Sequence, residues 1–312
     1  MKIVFFGTGS FGILSLEVLL HSSHSLVGVV TTPDKPKGRH LHLEPSPVKE
    51  WAVRNRLPVF DFSKEAPERC LAQLRDKDAD LFVVASFGVI LPEEALLLPR
   101  RMTINLHPSL LPRYRGPSPI CWALLHGDSE TGVSLMKVIG KVDAGDVLLQ
   151  ETVSIDPQDD IFTLEDKLSA AGGRLLLLGL RMIEEGRISL TPQDEAKAGY
   201  SRKLTKEDGR ILWDRPAEEL HRRVRALKRW PGCYFFCGGA RLIVTQAQVS
   251  ESGEGASGAP GTVVFASFKE GMGVMTAKDV LVIRQIQREG KKSLPAGEFL
   301  KGFPIRAGSV LQ

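Results

Sequence analysis

The sequence is poor in cysteine and in aromatic residues, and it has no long apolar run. Four cysteines occur in 312 residues, and no second pair of cysteines or histidines lies near Cys233 and Cys237 to complete the four ligands of a zinc site. Aromatic side chains make up 7% of the chain. No apolar run approaches the ~18 residues that a membrane-spanning helix needs. These absences exclude an integral membrane protein and argue against a bound metal.

What is present is the composition of a folded, globular chain, with 43% hydrophobic and 25% charged residues. A chain of 312 residues is longer than one core usually holds, so we expect two domains. The first residues, MKIVFFGTGSFG, have only a short apolar stretch before their glycines, which predicts a first β-strand and not a signal peptide. Without a targeting segment, the expected compartment is the cytoplasm of a bacterial-type cell.

Charge is distributed unevenly along the chain. The net charge is +4, but from Leu204 onward there are 17 basic and 11 acidic residues, so the preceding part is slightly negative. An excess of positive charge in one part indicates a polyanionic partner such as nucleic acid, and a solvated surface is the alternative.

Short apolar runs alternate with segments of helical period in the first part of the chain. This order is typical of βαβ units, and it predicts an α/β, Rossmann-like domain with a parallel sheet. The predicted strands are 2–6, 26–32, 57–60, 81–85 and 103–106, and the predicted helices are 11–20, 48–55, 67–75 and 164–185. A long loop with three basic residues, 33–47, follows the second strand. Because βα connections are usually short, we expect this loop to be functional or mobile; a solvated, variable loop is the alternative.

The pattern changes after a polar, proline-bearing stretch at 191–203. A basic helix is followed by short alternating strands, which predicts a small OB-like β-barrel. We therefore expect a catalytic domain at 1–190, a linker at 191–207 and a C-terminal domain at 208–312.

A glycine cluster, Gly7 to Gly12, lies between the first strand and the first helix. In this context GTGSFG fits a dinucleotide-binding fingerprint. The fingerprint also requires an acidic residue at the end of the second strand, whereas Asp34 follows that strand only after Pro33. A nicotinamide-dependent oxidoreductase is therefore a weaker alternative, and the glycines are equally consistent with a tight turn.

Asn105 and His107 form the strongest candidate site. Residues two apart on a strand point to the same face, and the carboxyl end of a parallel strand is where open α/β sheets bind ligands. An amide and an imidazole placed together suit carbonyl chemistry, because the amide can donate to an oxyanion and the imidazole can move a proton. Asp143, in the segment DAGD, would hold such an imidazole in its charged form; a plain turn is the alternative.

These segments together resemble the folate-dependent formyltransferases. The resemblance rests on GTGSFG, ASFGVILP at 85–92, NLHPSLLPRYRG at 105–116 and VDAGDVL at 142–148, and it covers essentially the whole chain. The loop at 33–49 and the segments 203–232 and 288–292 are similar to the branch of the family that acts on initiator tRNA. Branches that formylate nucleotide-sugar amines share a two-domain layout and are an alternative.

The resemblance implies transfer of the formyl group of 10-formyltetrahydrofolate to the α-amino group of methionine on initiator tRNA, for translation initiation, by a monomer without metal. It assigns the catalytic roles to Asn105, His107 and Asp143. The folate site it implies comprises Ser109, Leu110, Leu111, Pro112, Gly88, Ile90 and Leu91. Basic residues expected to contact tRNA are Lys35, Lys37, Arg39, Arg113, Arg115, Arg222, Arg223, Arg225, Lys228 and Arg229.

Overall fold

The computed structural model describes residues 1–37, 42–251 and 258–312. The chain divides into two compact units. We call the first the α/β unit; it comprises Met1–Pro119, Ser129–Ile155 and Leu164–Arg202. We call the second the β unit; it comprises Ile120–Asp128, Asp156–Thr163 and Lys203–Gln312. In the part of the chain that the structure describes, no helix has both the length and the apolar character needed to cross a membrane.

The first half of the chain alternates between strands and helices. In chain order the elements are β1 (Lys2–Gly7), a 3-10 turn (Ser10–Gly12), α1 (Ile13–Leu20), β2 (Ser25–Thr31), β3 (Lys35–Lys37), β4 (His42–Glu44), α2 (Pro47–Arg54), β5 (Val59–Asp61), α3 (Pro67–Arg75), β6 (Leu81–Ala85), α4 (Glu93–Leu96), β7 (Met102–His107), α5 (Pro119–His126), β8 (Glu130–Lys137), β9 (Val147–Ser154) and α6 (Ile161–Glu184).

Seven of these strands form one sheet in the order β5-β2-β1-β6-β7-β8-β9. The five strands from β5 to β7 are parallel, which confirms the predicted Rossmann-like α/β unit. The whole sheet is mixed, because β8 runs antiparallel to both β7 and β9. The connection between β8 and β9, residues 138–146, is too short for the crossover that parallel strands need.

The centre of the sheet is apolar because helices cover it on both faces. In β1 the residues from Ile3 to Phe6 are 0% exposed, and Phe6 packs against Phe82 of β6 with ring centroids 4.9 Å apart. Phe87, just beyond β6, meets Phe6 edge-on. Burying each such aromatic side chain stabilises the fold by about 1.5–3 kcal/mol, and this core fixes the ends of β1 and β6 next to each other.

The described part of the segment predicted as a loop at 33–47 is not irregular. Its β3 and β4 pair as an antiparallel hairpin, with Lys35 opposite Glu44. The base of the hairpin is tied to the body of the unit by Lys49, whose ammonium lies 2.8 Å from Asp34 and 3.1 Å from Asp61.

The second half of the chain begins with two 3-10 turns, Glu195–Lys197 and Lys206–Gly209, and is then mostly β-structure. Its elements are α7 (Ala217–Ala226), β10 (Cys233–Cys237), β11 (Ala240–Ser250), β12 (Val263–Ser267), β13 (Gly271–Met275), β14 (Val280–Arg288), β15 (Ser293–Pro295) and α8 (Ala296–Gly302). The strands form an antiparallel sheet in the order β10-β11-β14-β13-β12, with β15 beside β14. The predicted small β domain is therefore confirmed, and β15 and α8 are additions to it.

Candidate active site

The glycine cluster makes a tight turn that packs against the end of β6. The backbone N–H groups of Thr8 and Gly9 donate to the carbonyl of Ser86 at 3.1 and 3.3 Å, and the Thr8 hydroxyl donates to it at 2.7 Å. The Ser10 hydroxyl donates to the carboxylate of Glu165, a buried residue. These amides are already used, and a carboxylate next to the start of α1 would repel a pyrophosphate. This geometry argues against the dinucleotide-binding alternative.

Asn105, His107 and Asp143 lie together beyond the carboxyl ends of the parallel strands. The Asn105 Nδ2 atom is 3.5 Å from Asp143 Oδ1, and His107 Nδ1 is 3.6 Å from Asp143 Oδ2. The backbone N–H of Gly116 donates to Asp143 Oδ2 at 2.8 Å. An amide side chain, an imidazole and a backbone N–H thus converge on one carboxylate.

The surroundings of His107 fix the orientation of its ring. The residue is 5% exposed, and its Nε2 lies 2.9 Å from the backbone carbonyl of Tyr114. A carbonyl oxygen can only accept, so Nε2 donates to it. Nδ1 faces the Asp143 carboxylate at 3.6 Å, which is beyond hydrogen-bond distance. The buried imidazole therefore lies between a carbonyl and a carboxylate, beside the half-buried amide of Asn105.

The turn that carries Asp143 is held in an unusual backbone conformation. Asp143 has φ of 47°, in the left-handed region, which costs a non-glycine residue about 1–2 kcal/mol. Two further residues at the same edge of the sheet, Ser86 and Tyr114, also have positive φ, at 52° and 58°. Such strain is concentrated at functional sites, where the surrounding structure over-determines the backbone.

Gly145 is required by the close approach of this turn to β8. A Cβ atom at Gly145 would lie 1.9 Å from the carbonyl oxygen of Lys137, so we expect Gly145→Ala to force the turn away from β8 and displace Asp143. The expected result is a loss of at least about 10-fold in kcat together with a lower thermal midpoint, since overpacking costs about 1–3 kcal/mol. Gly140→Ala is the control, because a Cβ there meets nothing within 4 Å. Equal activity for the two variants would contradict this account.

The segment Ser109 to Pro112 is fixed from beneath by strands β8 and β9. Ser134 of β8 is 0% exposed; its hydroxyl donates to the Ser109 carbonyl at 2.6 Å and accepts from the Leu111 N–H at 3.0 Å. Gln150 of β9 donates to the Leu111 carbonyl at 2.9 Å. The predicted folate residues of this segment therefore form an ordered backbone wall next to His107, with Leu110 and Pro112 half-buried.

The other predicted folate residues lie beyond β6. Gly88 is exposed and has φ of 69°, and Ile90 is 71% exposed. Leu91, in contrast, is buried in the core. Gly88 and Ile90 are thus free to meet a ligand, whereas Leu91 supports the segment from behind.

Arg115 does not have the surroundings expected of a tRNA contact. Its side chain is 0% exposed, and it donates to Glu195 at 2.9 Å. Its Nε donates to Gln193 at 2.9 Å. A buried guanidinium with these partners cannot reach a phosphate, so the prediction for Arg115 is corrected to an internal role. Arg113 is exposed, and its guanidinium lies 5.1 Å from the centre of the Tyr114 ring.

The basic residues of α7 and the turn after it are largely engaged within the β unit. Arg223 donates to the carbonyl of Asp208, and Arg225 donates to the carbonyl of Asp159. Lys228 forms an ion pair of 2.8 Å with Asp160. Arg223 and Arg225 are half-buried, and each donates one of its five N–H groups in these contacts, so phosphate contact by these two residues stays a prediction.

The remaining predicted basic residues fall into three groups. Arg229 and Lys228 are exposed, and the Arg229 guanidinium lies 4.9 Å from the centre of the Phe162 ring. Arg222 is half-buried, with a 3.8 Å ion pair to Glu218. Lys35 and Lys37 lie on β3, where Lys35 is exposed, and Arg39 lies outside the described residues.

Sequence reasoning missed the side chains that support the site. Gln193 donates to the backbone carbonyls of Asp143 and Gly145 at 2.9 and 2.7 Å, although it lies in the stretch predicted as a linker. Ser134 and Gln150 were missed as well. For Ser134 and Gln150 the available signal was a polar side chain within a strand whose adjacent residues are apolar.

The titratable side chains near the site include one strongly perturbed carboxyl. Hydrogen bonds from Arg115 and Lys141 lower the pKa of Glu195 to about 2.

Two buried cysteine thiols have raised pKa values. Burial raises the pKa of Cys70 to about 11 and that of Cys233 to about 12, which makes both thiols poor nucleophiles. Among the described residues, no group of three or more His, Cys, Asp or Glu side chains is placed to hold a metal ion.

Comparison with known proteins identifies the class to which this fold and site belong. A family model described as formyl transferase matches residues 1–180, and one described as formyl transferase, C-terminal domain, matches residues 203–304. The chain belongs to the formyl transferase family. Within it, the chain is 40% identical over 309 residues to the methionyl-tRNA formyltransferase of Sulfurihydrogenibium sp. (strain YO3AOP1), and the match covers 99% of each chain.

Solved structures share the fold at lower identity. A variant of HypX from Aquifex aeolicus has a TM-score of 0.69 at 22% identity, covering 97% of this chain and 49% of HypX, so this chain spans about half of that protein. The N-formyltransferase from Helicobacter canadensis, solved with folinic acid and dTDP-3-aminofucose, has a TM-score of 0.67 at 18% identity and covers 92% of this chain and 99% of that one. The resemblance in sequence to folate-dependent formyltransferases is confirmed at the level of the family.

Proposed function

We propose that this protein transfers the formyl group of 10-formyltetrahydrofolate to the α-amino group of methionine on initiator tRNA. The observation that carries the proposal is the group formed by Asn105, His107 and Asp143, at the end of the sheet where α/β proteins bind ligands. The relative from Sulfurihydrogenibium supports this substrate over a nucleotide-sugar amine, because this chain is 40% identical to it and 18% identical to the N-formyltransferase solved with dTDP-3-aminofucose.

In the proposed reaction the neutral amine attacks the formyl carbon, and the carbonyl electron pair moves to the oxygen. Asn105 has a second amide proton besides the one directed at Asp143. This proton and the Nδ1–H of a protonated His107 ring are the candidate donors to the oxyanion, because Nε2 is committed to the Tyr114 carbonyl. The intermediate collapses when the bond from carbon to folate N10 breaks. N10 gains a proton and the attacking nitrogen loses one; Asp143 is the candidate group for the transfer.

The proposed folate site has the segment Ser109 to Pro112 on one side, and Gly88 and Ile90 on the other. A fused ring system needs a flat apolar slot with a few hydrogen bonds at its edges. Ile90 offers apolar surface, and the exposed Gly88 lets a ring approach the backbone, with nothing within 4 Å of the position of a Cβ. Leu91 contributes by supporting this segment from the core.

For the tRNA we propose contacts from the exposed basic residues, which are Lys35, Arg113, Lys228 and Arg229, with Lys37, Arg39 and Arg222 as further candidates. We propose that the β unit is an OB-like barrel that contributes to this contact, that the chain acts as a monomer in the cytoplasm, and that 191–207 links the two domains. The antiparallel sheet and the excess of basic residues after Leu204 support the role of the β unit.

The proposal is tested by mixing the protein with 10-formyltetrahydrofolate and methionine-charged initiator tRNA, and measuring formyl-methionine released from the tRNA. We expect turnover with this substrate and none with a nucleotide carrying an amino sugar. Formylation of the amino sugar instead would overturn the assignment. NADH fluorescence in parallel is expected to remain unchanged, because the Thr8 and Gly9 amides are occupied.

Lys35→Ala is expected to weaken tRNA binding in a salt-dependent manner. The side chain is exposed on β3, and removing one phosphate-binding cation reduces the slope of log K against log salt by about one unit. The measurement is tRNA affinity between about 50 and 200 mM salt. Lys64→Ala removes the same charge from another exposed position and is expected to leave the slope unchanged. If both variants keep the wild-type slope, β3 is not part of the tRNA contact.

A further inference from the structure

The segment that follows α6 reaches the proposed active site through one amide side chain. Gln193 Nε2 donates to the carbonyl oxygens of Asp143 at 2.9 Å and Gly145 at 2.7 Å. Its Oε1 accepts from Arg115 Nε at 2.9 Å. Because arginine has no acceptor, the oxygen of the amide must face Arg115 and the nitrogen must face the turn. The orientation of Gln193 is therefore fixed by its partners.

Arg115, in turn, is held rigidly. Its guanidinium donates to both carboxylate oxygens of Glu195, at 2.9 and 3.2 Å, and lies near the Tyr200 ring. Its backbone N–H donates to the Gly199 carbonyl at 2.8 Å. A bidentate arginine–carboxylate pair with a buried guanidinium is geometrically specific, so residues 193–200 provide a firm base for the Gln193 amide.

The turn of Asp143 needs such support. Its own hydrogen bond, from Ala144 N to Lys141 O, is long at 3.4 Å, and Asp143 is in the left-handed region. The two contacts from Gln193 are shorter, and they hold the backbone on either side of Ala144. On the other side, Gly116, which directly follows Arg115, donates to the Asp143 carboxylate at 2.8 Å.

We infer that Gln193 is a positioning residue for the reaction: it places the Asp143 carboxylate relative to Asn105 and His107 by holding the Asp143–Gly145 turn against Arg115. The effect of Gln193 on the reaction rate rests on the proposed function. Gln193 touches no reacting group itself. Its effect on rate is exerted through Asp143, and the affinity for either substrate does not depend on it.

The test is Gln193→Glu, which keeps an acceptor for Arg115 but replaces the two donors with an oxygen facing two carbonyls. We expect kcat to fall about 10- to 100-fold, because a displacement of about 1 Å at a catalytic group can cost 10²-fold. KM for folate and for tRNA is expected to change less than about threefold. In an Asp143→Asn background the same substitution is expected to cost less than about twofold, since residues that act through one another are not additive.

Gln73→Glu makes the same chemical change at an exposed position on α3 and is expected to have no effect. An equal loss in the wild-type and Asp143→Asn backgrounds, or a rise in KM without a fall in kcat, would overturn the positioning role. Gln193→Met, which keeps the chain length without hydrogen bonds, serves if Gln193→Glu does not fold.

Hydrogen exchange separates this inference from the proposed function. Peptides that cover residues 138–147 are expected to exchange at least about 10-fold faster in Gln193→Glu than in wild type, while peptides from α3 are unchanged. Absence of formyl transfer in the wild-type protein would refute the proposed function. Unchanged exchange in the variant would refute the role of Gln193, whatever the substrate.

Discussion

His107→Ala is expected to lower kcat at least about 10²-fold, with KM for folate and tRNA nearly unchanged. Nε2 of the ring is committed to the Tyr114 carbonyl, whereas Nδ1 lies 3.6 Å from Asp143 Oδ2, beyond hydrogen-bond distance. In the proposed reaction Nδ1 donates to the formyl oxygen, and this interaction is strongest when negative charge develops there. Loss of one such donor typically costs 10²–10³-fold in kcat. A loss confined to the transition state lowers kcat and kcat/KM equally.

Asn105→Ala is expected to cause a similar loss for the same reason. Its amide lies 3.5 Å from Asp143, so the substitution also frees that carboxylate from one of its donors. Single-turnover measurement with saturating substrates gives the chemical step directly. The double variant is expected to lose less than the product of the two single losses, because both side chains serve one oxyanion.

Two surface side chains provide matched controls. His21 and Asn55 each bond a carbonyl of their own helix, Glu17 and Trp51, and alanine at either position is expected to keep full turnover. His107→Gln retains hydrogen-bonding capacity near the Tyr114 carbonyl and guards against loss of folding in His107→Ala. Near-wild-type turnover in a folded variant at 107 or 105 would show that the chemistry takes place elsewhere.

The parallel part of the fold and the pairing of Asn105 with His107 could be predicted because both depend on local sequence. The predicted limits of β6, 81–85, are those observed, since a continuous apolar run is typical of a strand buried on both faces. The period of two then places Asn105 and His107 on one face. The antiparallel direction of β8 was harder to predict from the sequence, because the direction of a strand depends on the length of its connection and on its pairing with other strands of the sheet.

The support of the site could not be predicted, because it comes from residues distant in sequence. Gln193 lies in a polar stretch without periodicity, and its partner Asp143 is 50 residues away. Composition reports only that such a segment is polar, which is equally true of a linker and of a segment whose side chains bond buried carbonyls. The difference lies in tertiary contacts, which no local pattern encodes.

The basic residues illustrate a second reason. A run of arginines on α7 looks like a phosphate-binding surface in sequence, yet Arg225 donates to the carbonyl of Asp159. Lys228, just beyond α7, is exposed but also pairs with Asp160. These contacts tie Asp156–Thr163 into the β unit. Charge counts cannot distinguish a cation that faces solvent from one that satisfies a distant carbonyl, and Arg115 shows the same ambiguity.

Asp143→Asn is expected to lower kcat about 10²-fold. The substitution keeps the size of the side chain and an acceptor for the Gly116 N–H, but it removes the negative charge that faces His107 Nδ1. Without the carboxylate, the proposed reaction has no group at this position to take the proton from the attacking amine and pass it to folate N10.

Asp146→Asn removes a charge three residues away from Asp143 and is the control, with kcat expected at the wild-type value. Single-turnover measurement with saturating substrates reports the chemical step for both variants. If both variants lose the same fraction of kcat, the effect is one of general charge, and Asp143 has no specific role in the reaction. If a folded Asp143→Asn variant keeps the wild-type kcat, the carboxylate is not the group that moves the proton between the attacking amine and folate N10.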